Sequence, residues 1–486
     1  MLDFIYQHVL IRGFESGIKR RKTYAYWREL ENSQWLPHDE IVSLQFDSLK
    51  RLLAHAAENC PYYRDAWRSL GLDPSALSSQ AGFAHWPMID RDVIRENRRQ
   101  IRAMVTGMRL MKKATGGSSG VPLEFDLDTD SHARRHAAWH RGYSWAGAGP
   151  GTSQWHLWGQ VGRPSRGKRL KDALYYRLYR RKMTNSYDTS EASVSRYLKD
   201  LNRCRPQAIV AYTNPLYDFA RGLEEHGLRP HSPLSIVVGA EKLHEFQRDL
   251  IERVFQAPVF ETYGSREFML IGCECERHSG LHLTMEDLLV EIVDDDGQPT
   301  PVGREGNVVI TDLTNYGMPF IRYQNGDRAI ASSEACPCGR GLPLLKKVVG
   351  RRLDILETPD GRHVPGEFFP HLLKDFPAIR QFQVIQDDRW SIRLLVVVNA
   401  DWNAEVRKSL QDQIHDTVGY AVGLEIAVVD AIPLTPAGKR QVVVRRIRET
   451  PVPVERVPGN VSPSAVIIDA SRSLAGATSE IRTFVP

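Results

Sequence analysis

Ile209-Val210-Ala211, Ser235-Ile236-Val237-Val238-Gly239 and Pro258-Val259-Phe260-Glu261-Thr262 are three short, mostly apolar runs. A helical pattern follows the first through Arg221, and another, Glu245–Phe255, lies between the second and third. Each run reads as a buried strand. Strand–helix alternation of this kind predicts an α/β layered domain with parallel strands. In such a domain ligands bind in the loops at the carboxyl ends of the strands.

Downstream the pattern changes. In residues 281–330, Leu288–Val293, residues 306–311 and Ile330 are strands broken by Asp-Gly and Gly turns. They predict an antiparallel subdomain over 281–345. After Gly350 come a strand over 353–356, a turn at Pro359-Asp360-Gly361 and a helix over 367–375. A hairpin of 381–386 and 392–398 crosses Asp387-Asp388. A helix over Ala404–Val418 carries Val406, Leu410, Ile414 and Val418 on one face, and 424–429 is the last strand. The order βαββαβ predicts a small ferredoxin-like α+β domain of about 95 residues. Residues 447–486 are rich in Pro, Ser, Ala and Gly and read as an irregular or disordered tail, with a short strand at 466–468 as the alternative.

Upstream, residues 41–104 read mostly as helix. Leu44, Phe46, Leu49, Leu52 and Leu53 recur at near-helical spacing, and Pro61 ends the run. A Gly/Ser-rich segment from Ala114 to Gly120 precedes the apolar–polar run 121–126 and a His- and Arg-rich helical pattern over 130–145. At the start, Phe4, Ile5, Val9, Leu10 and Phe14 suit an amphipathic surface helix. The order of a signal peptide is absent, so cytoplasm is the expected compartment, with peripheral membrane contact through this helix left open.

The 486 residues are 42% hydrophobic and 25% charged, which excludes a wholly disordered, collagen-like or membrane-embedded chain. No apolar run approaches the ~20 residues of a membrane span, so no integral membrane association is expected. The 64 basic and 59 acidic residues leave a net charge of +5, too weak a bias to imply nucleic acid as a partner. Six cysteines are too few for a disulfide framework.

Five loop segments carry candidate chemistry. Ala114-Thr115-Gly116-Gly117-Ser118-Ser119-Gly120 could let backbone N–H groups and hydroxyls approach a phosphate, but it is not a Walker loop, and a flexible surface loop is the plainer reading. Glu261-Thr262-Tyr263-Gly264-Ser265-Arg266-Glu267 follows a strand with an aromatic to stack a base and an acid to hold a divalent cation. Arg322-Tyr323-Gln324-Asn325-Gly326-Asp327 puts a carboxylate after a Gly turn, where it could accept from ribose hydroxyls. Gly350-Arg351-Arg352-Leu353-Asp354 and Leu434-Thr435-Pro436-Ala437-Gly438-Lys439 complete the set. Each alone is compatible with a turn.

In this order and spacing they resemble the adenylate-forming superfamily of acyl-CoA synthetases and adenylation domains. The likeness is strongest to its phenylacetate-CoA ligase branch, which includes CapK-type proteins, and covers roughly residues 40–445. It implies a large, multi-subdomain N-terminal adenylation domain over 1–350 and a small mobile C-terminal lid over 351–446. Thr115, Gly116, Gly117, Ser118, Ser119 and Gly120 match the loop that grips the ATP β,γ-phosphates. Gly239, Ala240 and Glu241, with Lys242, match the segment lining the adenine and acyl pocket. Tyr263, before Gly264, matches the aromatic beside adenine, Glu267 the Mg²⁺-binding acid and Asp327 the ribose acceptor. Arg351 lies in the motif before the hinge, Asp354 matches the hinge, and Lys439 matches the lysine that contacts the carboxylate and α-phosphate. Tyr212, Asn214 and Pro215 fall in a stretch that shapes the acyl pocket of aryl-acid ligases. Arg266 and Asn325 depart from the commoner family residues without removing a required charge.

The implied activity is that of an AMP-forming carboxylate-CoA ligase. A carboxylic acid, aryl or arylacetic, is adenylated with ATP and Mg²⁺ and passed to CoA, with AMP and pyrophosphate as the other products. The rival readings are an adenylating ligase of a capsule or natural-product pathway with an amine or carrier acceptor, and a non-catalytic scaffold. A homodimer is a possible assembly.

Cys273-Glu274-Cys275 and Cys336-Pro337-Cys338, with His278 and His282, could complete a tetrahedral zinc site or pack as free core thiols. Some members of the resembled branch share a Cys…Gly-Leu-His…Cys-Pro-Cys pattern. That likeness implies structural Zn²⁺ on Cys275, His282, Cys336 and Cys338, with Cys273 and His278 as substitutes. Cys60 and Cys204 read as isolated core thiols. The basic stretch 163–182, with Tyr175, Tyr176 and Tyr179, reads foremost as a solvated helix face; anionic lipid, nucleic acid or the CoA phosphates are its alternatives.

Overall fold

In the computed structural model the three apolar runs become adjacent parallel strands. The description covers residues 2–115, 123–158, 166–186, 191–351, 355–360, 363–365, 368–373, 375–433 and 441–446. In chain order, Leu110–Ala114 (β1) and Glu124–Asp128 (β2) form an antiparallel hairpin. Next come Gln154–Trp158 (β3), Arg181–Asn185 (β4), Ala208–Tyr212 (β5), Ser235–Gly239 (β6) and Val259–Tyr263 (β7). Gly272–Glu274 (β8), Leu281–Leu283 (β9), Leu288–Val293 (β10), Glu305–Asp312 (β11), Tyr323–Ala331 (β12) and Leu344–Arg351 (β13) follow. Strands β3 to β13 make one sheet of 11 strands, ordered β10-β11-β12-β13-β9-β8-β7-β6-β5-β3-β4.

From β3 to β7 the pairing is parallel. Every residue of β5 and β6 is buried. Ile209, Ala211, Ile236 and Val238 face the helices Thr213–Glu225 and Glu245–Phe255 through Leu216, Phe219, Ile251 and Phe255. Val210, Val237 and Phe260 face Tyr143 and Ala146, at the end of the helix Thr129–Trp145. Cover on both faces explains why these strands lack polar alternation.

The pairing turns antiparallel at β7–β8 and stays so to β10. The expected antiparallel strands are present, but they continue the parallel sheet instead of forming a separate one. The three-residue strands β8 and β9 make the join.

The small domain contains Ile355–Glu357 (β14), His363–Pro365 (β15), Ile379–Asp388 (β16), Ser391–Val398 (β17), Gly423–Val428 (β18) and Val443–Arg445 (β19). Its own core includes Leu356, Phe369, Val384, Leu394, Leu410, Ile414 and Val443. The sheet order is β18-β17-β16-β19. The expected first strand does not join it. β14 pairs with β15 instead, and β19 takes the outer edge parallel to β16. The side chain of buried Gln386 ties β14 to β16, accepting from Glu357 N at 3.0 Å and donating to Glu357 O at 2.7 Å.

Near the N-terminus, Pro61 starts a new helix, Pro61–Ser69, directly after His38–Asn59. Leu49, Leu52 and Leu53 are buried as expected, but Leu44 is 52% exposed. Residues Met1–Ile447 form one compact unit. Among the described residues no helix is long and apolar enough to cross a membrane. The expected tail lies outside the described residues.

Candidate active site and cysteine cluster

Tyr263 ends β7, the last parallel strand, at the edge where a layered α/β sheet presents its ligand loops. Its ring is buried, and its hydroxyl donates to Asp327 Oδ2 at 2.7 Å. Asn325 Nδ2 reaches both Tyr263 Oη, at 2.8 Å, and Asp327 Oδ2, at 2.9 Å, while Asp327 N donates back to Asn325 Oδ1 at 3.0 Å. Gly326, at φ +84°, makes the tight bend between them. Arg351 stands opposite Asp327 in the β12–β13 register. Three segments that the sequence suggested separately thus meet at one point.

Gly264 starts the turn that carries Glu267. A Cβ there would run into the carbonyl oxygen of Met269, so only glycine fits. Met269 N closes the turn on Ser265 O at 2.8 Å, and Glu267 sits half-buried on it. Arg266 Nε donates to Ala114 O at 3.4 Å, which links this turn to the neck of the Gly/Ser segment. At that neck, Thr115 Oγ1 accepts from Arg91 Nη2 at 2.7 Å and from Leu123 N at 2.9 Å. Gly116, Gly117, Ser118, Ser119 and Gly120 lie outside the described residues, as do Asp354 and Lys439; of Arg351 only the backbone is described.

At the end of β6, a Cβ on Gly239 would meet Thr262 Oγ1, and Ala240 is left-handed at φ +68°. Glu241 Oε2 accepts from Asn214 N at 2.9 Å, at the start of the helix Thr213–Glu225. The Asn214 amide oxygen accepts from Gln247 Nε2 at 3.0 Å. These two residues thus brace the pocket segments against each other. Pro215 is half-buried in the first turn of the same helix, and Tyr212 packs on Trp158 with ring centroids 4.2 Å apart. Lys242 Nζ donates to Val349 O at 3.1 Å, which ties this loop to β13. Burial, with Lys347 alongside, pushes its amine down to about 7.

The ligand atoms of Cys275, His282, Cys336 and Cys338 all lie within 4.8 Å of one another. Cys275 Sγ is 3.6 Å from Cys336 Sγ, and Cys338 Sγ is 3.3 Å from His282 Nε2. Zn–S of ~2.3 Å and Zn–N of ~2.0 Å give tetrahedron edges of about 3.5–3.8 Å, so the spacings fit. His282 Nδ1 faces Leu342 O at 3.3 Å, which leaves Nε2 for a ligand bond. Burial pushes this imidazole down to about 4, keeping it neutral. Cys273 instead packs its sulfur 3.4 Å from Gly142 O, and His278 bonds Glu274 at 3.3 Å. Cys60 is a core thiol as expected; Cys204 is exposed, because it sits at the solvent-facing end of the helix Glu191–Cys204.

Sequence reasoning noticed Asn325 only as a departure and missed that it bridges Tyr263 and Asp327. The Asn-Gly-Asp turn was its one signal. Arg91, which holds Thr115, had none.

A long mixed sheet, in which Tyr263 at the end of the last parallel strand bonds Asp327 on β12 and Arg351 stands opposite Asp327, followed by a small domain with its own sheet, matches the fold of solved acyl-CoA ligases. Residues 356–446 match the CapK C-terminal domain family. The chain is 22% identical to Protein CapK of Staphylococcus aureus over 92% of its own length and all of that protein. It is 28% identical to phenylacetate-coenzyme A ligase of Thermus thermophilus, over 74% of this chain and 80% of that one. A 2-hydroxyisobutyryl-CoA ligase, solved in a postadenylation state with 2-HIB-AMP, superposes with a TM-score of 0.69 at 19% identity, covering 85% of this chain and 91% of that one. The resemblance to the phenylacetate-CoA ligase and CapK-like branch of the adenylate-forming superfamily therefore holds over most of the chain.

Proposed function

We propose that this protein activates a carboxylic acid with ATP to an acyl-adenylate and transfers the acyl group to CoA, releasing AMP and pyrophosphate. The observation that carries this reading is the Tyr263–Asn325–Asp327 cluster at the carboxyl edge of the parallel strands. A half-buried carboxylate tied to an aromatic hydroxyl is a ready acceptor for ribose hydroxyls, with the ring beside the base. Arg351, across from Asp327, comes from the strand that leads into the expected hinge at Asp354.

The chemistry demands positioning and positive charge. A carboxylate approaching an α-phosphate is repelled, and pyrophosphate departs with growing negative charge. The Thr115–Gly120 segment would hold the β,γ-phosphates, and Arg351 and Lys439 would face the reacting centre. Glu267 would hold Mg²⁺, which neutralises phosphate charge when bound. Residues 351–446 would act as the mobile lid on the body 1–350, and the lid's separate core supports that division. Cys275, His282, Cys336 and Cys338 would hold a structural zinc, since four protein ligands leave no open position.

An aryl or arylacetic acid is favoured by the likeness to phenylacetate-CoA ligases and by the Trp158–Tyr212 pair at the ends of β3 and β5. A panel of carboxylic acids, assayed for pyrophosphate release with and without CoA, tests the proposal. CoA-dependent thioester formation with an arylacetic acid is expected. Pyrophosphate without any thioester would move the acceptor to an amine or carrier, and no release with any acid would overturn the enzyme reading.

A further inference from the structure

The N-terminal segment is helical over Leu2–Ile5, Tyr6–Ile11 and Gly13–Ile18. Instead of burying its apolar residues, it leaves most of them in water. Leu2, Phe4, Ile5, Val9, Leu10 and Ile18 are each at least 41% exposed. Beside it lies the helix Arg166–Leu178, joined through Phe14, whose ring is 6.2 Å from Tyr175 and 6.5 Å from Tyr179. This second helix also turns leucines outward: Leu170 and Leu174, one turn apart, are 66% and 62% exposed.

The fully exposed charges around these side chains are basic, with Asp172 and Asp3 only partly exposed among them. Arg12, Lys19, Arg20, Arg169, Lys171 and Arg177 are exposed. The two carboxylates of the N-terminal segment are paired within the protein: Glu15 is buried and accepts from Tyr179 Oη at 2.6 Å, and half-exposed Asp3 is paired with Arg180 and accepts from Gln207 Nε2 at 2.7 Å. An isolated exposed leucine means little, but a cluster this size on two adjacent helices does. Apolar side chains set among basic ones match the boundary of a bilayer carrying anionic headgroups.

We infer that the N-terminal segment and the helix Arg166–Leu178 together dock this protein on the surface of an anionic lipid bilayer. The contact is peripheral. Apolar side chains enter the headgroup boundary, and the arginines and lysines pair with lipid phosphates. Each basic residue near such a surface contributes enough to change partitioning several-fold.

The test is co-sedimentation of the full chain with phosphatidylcholine vesicles, with and without about one-third phosphatidylglycerol. Binding is expected only with the anionic lipid and is expected to weaken in about 0.5 M salt. Phe4→Ser with Val9→Ser, and separately Arg169→Gln with Lys171→Gln, should each lower partitioning roughly tenfold. All four positions are exposed, so unfolding is not expected, and thermal melts verify this. The inference is overturned by equal binding to neutral vesicles, by no binding to either, or by variants that bind like the parent. It is also overturned if the apolar variants abolish self-association while no lipid binding is seen, since a second copy would then be the occupant.

Discussion

Removing Asp327 and removing the Tyr263 hydroxyl bonded to it should have different costs. Asp327→Ala removes the proposed ribose acceptor, and a charged hydrogen bond of ~1.5–3 kcal/mol corresponds to a loss of about 10- to 100-fold in kcat/KM for ATP. Tyr263→Phe removes only the brace at Oη, so a several-fold loss is expected; steady-state kinetics with varied ATP separate the two. Lys439→Ala should abolish adenylation while sparing thioester formation from supplied acyl-adenylate. Equal loss in both half-reactions would contradict its assigned role. The types of these residues were legible in the sequence, but the contact was not. Tyr263 and Asp327 are 64 positions apart, and only the resemblance linked them.

At the scale of elements, the zinc proposal concerns how β8, β9 and the loop before β13 are held. Cys275 follows β8, His282 lies on β9, and Cys336 and Cys338 lie between β12 and β13. Metal analysis of the purified chain should find about one zinc, and Cys336→Ser should lower both the stoichiometry and the melting temperature, the latter by about 5 °C or more. Zinc near zero after gentle purification would remove the claim. The helix Thr129–Trp145 makes a separate prediction. Burial pushes His132 down to about 4 and His140 to about 3, with nearby Lys113 and Arg181 respectively acting in the same direction. These folded values lie below that of an exposed imidazole. Their contribution to stability is therefore complete above about pH 6.5 and is lost as pH falls toward 4 and 3. Each neutral histidine adds up to ~1.4 kcal/mol per pH unit of acid sensitivity across that window. His140→Gln should flatten the dependence of melting temperature on pH there; an unchanged slope would refute the assignment. The helix itself was legible from its pattern. The three-residue strands β8 and β9 were not, because their identity comes from long-range hydrogen bonds and not from any local period.

For the whole molecule, the large sheet and the small domain have separate cores, as the proposed body and lid require. Arg221 donates to the carbonyls of Ile379, at 3.1 Å, and Arg380, at 2.8 Å, so the small domain touches the helix Thr213–Glu225. If Asp354 is the hinge, Asp354→Pro should leave pyrophosphate release intact while lowering CoA-dependent thioester formation about 100-fold; parallel loss of both would place the hinge elsewhere. Strand–helix alternation made the parallel strands β5, β6 and β7 legible, but not β3 and β4: the alternation reads clearly only from Ile209 onward, and β4, Arg181–Asn185, is a short polar run at the sheet's edge. The position of Val443–Arg445 at the small sheet's edge was not legible either, since three residues carry no period and their partner, β16, lies far upstream. The most direct test of the central claim is a single turnover of the purified chain with an arylacetic acid, ATP and Mg²⁺ but no CoA, quenched and examined by mass spectrometry. An enzyme-bound acyl-adenylate that converts to acyl-CoA when CoA is added is the predicted result. ATP binding with no acyl-adenylate from any acid of the panel would contradict the account.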